Sequence, residues 1–239
     1  MTMQTCSKCL IDKEDDKFYR KHRQCSACMM EYNKLHKNGS GVRYKRRLRI
    51  DAITKYGGAC ACCGNSNVDT LCIDHEHGGG ATHRRQLGGQ RISRWLQQHG
   101  YPAGFRVLCF NCNYGVTRVP DLIASVAEWR SGTVTIDDVL RTDEIPDVSR
   151  RQKLVVHCRN ARTRLRKQAI VAYGGKCELC SETYPHFLTI DHTCGDGAEH
   201  RTVVSVPLIC RWLRRHNYPT GFRLLCWNCN CTAPNRRQC

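Results

Sequence analysis

"RWLQQHGYPAGFRVLCFNCN" occupies residues 94–113, and "RWLRRHNYPTGFRLLCWNCN" occupies residues 211–230. A shift of 117 positions lays one on the other, and it also carries Tyr56 onto Tyr173, Cys60 onto Cys177, Cys63 onto Cys180 and Asp74 onto Asp191 without a gap. Self-similarity at one fixed offset marks a repeated structural unit. The chain therefore holds two copies of one module. Each quoted stretch ends in Cys-x-x-Cys-Asn, and each copy carries another Cys-x-x-Cys upstream. Two such pairs suit one tetrahedral zinc ion, which prefers four thiolates.

Outward from these stretches, each copy opens with a basic helical segment, "RYKRRLRIDAITKYGG" or "RTRLRKQAIVAYGG", stopped by paired glycines. A cysteine knuckle follows, then a β-prone segment ending in Asp-His ("DTLCIDH", "HFLTIDH"). A polar Gly-rich loop leads to a helix around Trp95 or Trp212, and "GFRVLC" or "GFRLLC" returns as a second strand. Trp95 and Trp212 read as core residues. The predicted fold class is small α+β zinc-stabilised modules. Residues 1–40 form an N-terminal zinc finger, 41–115 the first module, 116–148 a helical and acidic linker, and 149–239 the second module. In the linker, "PDLIASVAEWR" places Leu122, Ile123, Val126 and Trp129 on one helical stripe that packs on the first module.

Three zinc sites account for twelve of the 19 cysteines. They are Cys6, Cys9, Cys25 and Cys28; Cys60, Cys63, Cys109 and Cys112; and Cys177, Cys180, Cys226 and Cys229. The run "CACC" leaves Cys60 or Cys62 as first ligand, and the repeat decides for Cys60, because Cys62 aligns with Leu179. The seven remaining cysteines read as packed or free thiols.

The net charge is +17, and it is uneven: +3 over residues 1–40, +7 over 41–115, −4 over 116–148 and +11 over 149–239. Two basic blocks around an acidic connector predict a polyanion partner held at two places. Arg46, Arg47, Arg49, Arg84, Arg94, Arg164, Arg166, Arg201 and Arg211 are the candidate phosphate contacts. No apolar run is long enough to span a bilayer, and the first residues lack a signal-peptide pattern. The expectation is an intracellular chain with reduced thiols.

With four thiolates on each zinc, His75 and His192 are free for other work. Asp and Asn offer the hard oxygens that Mg²⁺ takes, and a neutral imidazole can accept a proton from water near pH 7. An oxygen-bound cation, an imidazole and a basic surface are the parts for phosphodiester hydrolysis. The order Cys-x-x-Cys, Asp-His-x-His, Cys-x-x-Cys-Asn resembles the HNH endonucleases of ββα-metal (treble-clef-like) fold, most closely the zinc-containing recombination endonuclease VII family of phages. "IDHEHGGG" with "FRVLCFNCN" carries the likeness over about residues 45–115, and the second copy over about 162–232. The resemblance implies a catalytic Mg²⁺ or other divalent cation on Asp74 and Asn113, and on Asp191 and Asn230. It makes His75 and His192 the general bases and three zinc ions structural, and it fits a phage-encoded protein acting in host cytoplasm.

The family's second His is matched by His77, read as assisting His75, but by Cys194 in copy two. A Glu of the phage resolvase is Val116 here and Ala233 in copy two, and Pro234 stops the last helix early. The expected function is a metal-dependent DNA endonuclease, with the copies paired as a monomeric pseudo-dimer or the chain as a homo-oligomer. The alternative is a non-catalytic zinc protein that binds or regulates nucleic acid.

Overall fold

The computed structural model describes residues 3–18, 23–36, 40–205 and 208–232. In chain order the strands are β1 (Met3–Thr5), β2 (Asp12–Glu14), β3 (Leu71–His75), β4 (Phe105–Cys109), β5 (Leu188–His192) and β6 (Phe222–Cys226). The helices are α1 (Ser26–His36), α2 (Ser40–Lys55), α3 (Gly80–Gln86), α4 (Ile92–Gln98), α5 (Phe110–Gly115), α6 (Leu122–Ser131), α7 (Ile136–Val139), α8 (Arg150–Ala172), α9 (Gly197–Val203), α10 (Ile209–Arg215) and α11 (Trp227–Thr232). The strands pair as antiparallel ribbons, β1 with β2, β3 with β4 and β5 with β6. A lone two-stranded ribbon is marginal in water. Each ribbon here is joined to a four-cysteine cluster that can hold a metal ion. The protein is thus a small α+β chain built on three such clusters.

Its compact units do not follow the repeat boundaries. Met1–Ala52 with Gln90–Tyr101 form one, and Ile53–Gly89 with Pro102–Cys239 form the other. In the first unit the β1–β2 ribbon and the start of α1 bring together Cys6, Cys9, Cys25 and Cys28. The same unit holds α4, where Leu96 is fully buried and Trp95 only half-buried, stacked 4.1 Å from His99.

In the second unit both copies are built alike. The knuckle is tied to the returning strand: Ala61 N–H donates to Val107 O at 2.8 Å, and Glu178 N–H to Leu224 O at 2.9 Å. Leu71, Val107, Leu108 and Cys109 are buried in one ribbon, and Leu188, Leu224, Leu225 and Cys226 in the other. The sequence reading of a Gly-rich loop after Asp-His is corrected in part, because that loop contains the short helices α3 and α9. The tryptophans also need correction. Trp212 is half-buried, and its neighbour Leu213 is the residue in the core.

The copies meet across a reciprocal contact. Asn111 N–H donates to Asn228 Oδ1 at 3.1 Å, and Asn228 N–H donates to Asn111 Oδ1 at 2.9 Å. Tyr114 stacks on Trp227 with ring centres 4.3 Å apart. Helix α5 packs on the 3-10 turn Pro185–Phe187 of copy two, and α11 on the equivalent turn Val68–Thr70 of copy one. Each partner thus offers the same patch to the other, the isologous arrangement of a two-fold dimer.

Helix α6 seals one side. Leu122, Val126 and Trp129 join the first copy's core, together with Tyr184 and Phe187 of the second. Ile123, predicted on the same stripe, is 61% exposed instead. A Cβ on Gly115 would meet Leu122 Cδ2 at 2.7 Å and Phe187 Cε1 at 3.1 Å. Gly115→Ala is therefore expected to cost about 1–3 kcal/mol, the usual penalty of overpacking. It should appear as a lower denaturant midpoint at unchanged slope.

Candidate active site

Each ribbon delivers Asp-His at the end of its first strand, and register decides what faces them. Asp74 lies opposite Arg106, and Asp191 opposite Arg223. These cross-strand neighbours form ion pairs, Arg106 Nε to Asp74 Oδ2 at 3.0 Å and Arg223 Nε to Asp191 Oδ2 at 2.9 Å. Arg223 is buried and also reaches Glu178 at 3.3 Å. Copy one has Ala61 at the position of Glu178, so that second acid is absent there. Neither arginine belonged to the sequence-derived site, although both sit in the repeated "GFRVLC" and "GFRLLC".

His75 and His192 turn away from these carboxylates, as consecutive strand residues do. Each imidazole packs on the phenylalanine opposite it, Phe105 at 4.7 Å and Phe222 at 4.6 Å. Gly80 and Gly197 open α3 and α9 beside the rings. A Cβ there would stand 3.0 Å from His75 Nδ1 and 2.9 Å from His192 Nδ1. A side chain at either position would crowd that nitrogen.

One helical turn further on, each copy sets a second histidine against the first. His75 Nε2 lies 2.8 Å from His83 Nδ1, and His192 Nε2 lies 2.8 Å from His200 Nδ1. His77, expected to assist His75, is exposed in the turn after β3. The nitrogen that meets His75 belongs to His83. The signal was present, since His83 and His200 are related by the 117-residue shift, whereas His77 becomes Cys194. Cys194 is disulfide-bonded, not free, while Cys62, Cys72, Cys158, Cys210 and Cys231 are free thiols. Cys239, Ala233 and Pro234 lie outside the described residues.

In copy two the His pair is backed by α10. The His200 ring sits 4.6 Å from Trp212, which also packs on Phe222 and stacks on His216. Burial pushes the His75 imidazole below its ordinary value, His83 acts in the same direction, and Asp74 opposes them. His192 is likewise lowered by burial, against the charges of Asp196 and Asp191.

Asn113 and Asn230 lie half-buried on α5 and α11, directly after the last cysteine of each cluster. Their side chains make no hydrogen bond to another described residue. Asp74 Oδ1 and Asp191 Oδ1 stand outside the ion pairs. The hard oxygens left over, a carboxylate and an amide per copy, fit Mg²⁺ in donor chemistry.

The sulfurs of each predicted cysteine set lie within 4.8 Å of one another. Sharing hydrogens with Cys109 and Cys112 holds the Cys60 thiol far below its ordinary value, and the same sharing pushes Cys112 far up. Four thiols that compete for protons in this way are matched by a cation that replaces the protons.

Among the predicted phosphate contacts, Arg46, Arg47, Arg84, Arg94, Arg164, Arg201 and Arg211 are exposed, and Arg49 is half-buried. Arg166 is a correction. Its guanidinium donates to the carbonyls of Pro185 at 2.9 Å and Leu188 at 2.6 Å, so it pins α8 to the start of β5. No helix is long and apolar enough to cross a membrane among the described residues. No family model, curated protein or solved structure matches this chain.

Proposed function

We propose that the protein is a metal-dependent DNA endonuclease of HNH type with two modules in one chain. The observation that carries this reading is the twofold recurrence of one constellation. A carboxylate and a histidine end a ribbon, a second histidine contacts the first at 2.8 Å, and a four-cysteine cluster holds the base. The charge of +17 supplies attraction to a polyanion.

The His–His contact requires one ring to donate and the other to accept. In copy two, His200 Nε2 is buried without a hydrogen-bond partner, and its ring lies against Trp212. An N–H tucked against an aromatic ring is weakly favoured, whereas a bare lone pair there gains nothing. That choice puts the proton of His200 on Nε2 and makes its Nδ1 the acceptor. His192 then donates from Nε2 and keeps a lone pair on Nδ1, the nitrogen that Gly197 leaves approachable. Copy one shares the 2.8 Å contact of His75 Nε2 with His83 Nδ1 and the open approach beside Gly80, and we give His75 Nδ1 the same role. This nitrogen takes the proton of the water that attacks phosphorus. A bound Mg²⁺ supplies charge stabilisation for the phosphate and the departing oxygen, and Asp74 with Asn113, or Asp191 with Asn230, would hold it.

Supercoiled plasmid incubated with the protein and Mg²⁺ is the test. Nicked or linear product is expected. One observation favours a second reading, a nucleic-acid-binding protein without hydrolysis: an arginine occupies one oxygen of each aspartate. Unchanged plasmid with retarded mobility would select it and discard the first.

A further inference from the structure

The acidic linker neutralises only part of α8. This helix carries eight basic residues and no acid between Arg150 and Ala172. Asp147 pairs with Lys153 at 3.0 Å, Asp143 with Arg159 at 2.9 Å, and Asp137 with Lys167. Arg166 is spent on backbone carbonyls. Of the remaining cations, Arg162 and Arg164 lie against α10, whereas Arg150 and Arg151 stand outside that contact at the start of the helix. A cleft of about 350 Å³ between these helices is lined by Arg164, Arg211, Arg214 and Arg215, with Leu165 and Gln168 between them. An adjoining cleft of about 210 Å³ shares Leu165 and Arg211 and adds Arg162 and His157. The four arginines of the larger cleft are exposed and form no ion pair among the described residues.

Copy one does not repeat this charge. The 117-residue shift maps Arg164 to Arg47 and Arg211 to Arg94, but Arg214 and Arg215 become Gln97 and Gln98, and Gln168 becomes Asp51. Four arginines without an acid in one copy thus correspond to two arginines and an aspartate in the other. Charges of one sign converging on a cleft without counter-charge focus an attractive field on an anion, and guanidinium groups match phosphate oxygens in pairs. Helix α10 also ties the cleft to the candidate site. Arg211 immediately precedes Trp212, whose ring backs His200.

We infer that the α8–α10 cleft of copy two is the chain's principal grip on a nucleic-acid phosphate backbone, and that copy one lacks its counterpart. The inference rests on the nucleic-acid part of the proposed function and not on its hydrolytic part. A successive row of phosphates, one charge per ~1.7 Å of duplex axis, suits adjoining cationic clefts better than an isolated anion would.

The test is the salt dependence of binding to a fluorescein-labelled DNA duplex, measured by anisotropy with the full chain and no added Mg²⁺. Each lost phosphate contact should flatten the slope of log K against log salt by roughly 0.9. Arg214→Gln with Arg215→Gln, which installs the residues of copy one, is expected to flatten it by about 2. The paired lysine variant should keep the slope, and Arg150→Gln with Arg151→Gln, on α8 outside the cleft, should leave it unchanged. An unaltered slope in the glutamine variant overturns the inference, as does an equal fall in the Arg150/Arg151 control. Preference of the wild-type chain for anionic vesicles or an acidic protein overturns it too. A chain that binds duplex with the expected slopes yet leaves plasmid intact loses only the hydrolytic reading. One that nicks plasmid while the glutamine variant keeps its slope loses only the cleft.

Discussion

Replacing His75 and His192 together by alanine is expected to slow Mg²⁺-dependent plasmid nicking by about 10²–10⁴-fold, the usual worth of a positioned general base. Duplex affinity should hardly change, because neither side chain adds positive charge while neutral. The separate variants apportion the activity. Copy one is expected to be the stronger cutter, since Arg106 is the less buried of the two ion-pair arginines, and its counterpart Arg223 also binds Glu178. His75→Ala alone should therefore remove most of the nicking. A His75→Ala protein that keeps full activity rejects that ranking, and a double variant that keeps it rejects the base assignment. Substitution of His83 separates positioning from packing. An asparagine amide in its place can still accept a hydrogen bond from His75 Nε2, whereas an alanine methyl cannot, so His83→Asn should retain more activity than His83→Ala.

Loss of a single metal cluster should have a larger effect still. Structural zinc contributes an apparent ~10–16 kcal/mol to small domains, whereas a whole domain is commonly stable by only about 5–15 kcal/mol. Cys112→Ser is thus expected to lower bound zinc by one equivalent from the three that the clusters can hold, and to abolish cooperative unfolding. The damage should not stop at copy one. Cys109 and Cys112 share a core with Tyr184 and Phe187 of copy two, and the neighbouring Asn111 binds Asn228. Both repeats should therefore melt in one transition by circular dichroism. Two separate transitions, or a Cys112→Ser protein of undiminished stability, would contradict this coupling.

Local signals carried much of the fold. The knuckles, the strand that ends in Asp-His, the returning strand and the helices stopped by glycines all follow from spacing and turn chemistry, which neighbouring residues alone determine. The 117-residue shift also separated Cys60 from Cys62. What escaped depends on where side chains point in space. A Gly-rich run reads as loop, yet Gly80 and Gly197 open helices, with the imidazoles of His75 and His192 close beside them. His83 lay too far along the chain to be recognised as the partner of His75, whereas His77 lay close and proved exposed. Arg166 looked like one more cation in a basic run until two carbonyls claimed it. Asn111 and Asn228 lie inside their Cys-x-x-Cys motifs, where nothing in one copy announces the face of the other.

That self-matching face has a consequence for how the halves can differ. In a dimer of separate chains, every substitution would appear on both sides of the axis at once, and assembly would depend on concentration. Here the partner is tethered, so association is intramolecular and its strength is set by the linker rather than by abundance. Each half is thereby released from being a replica of the other, and a residue can change on one side of the axis while its mate stays as it was.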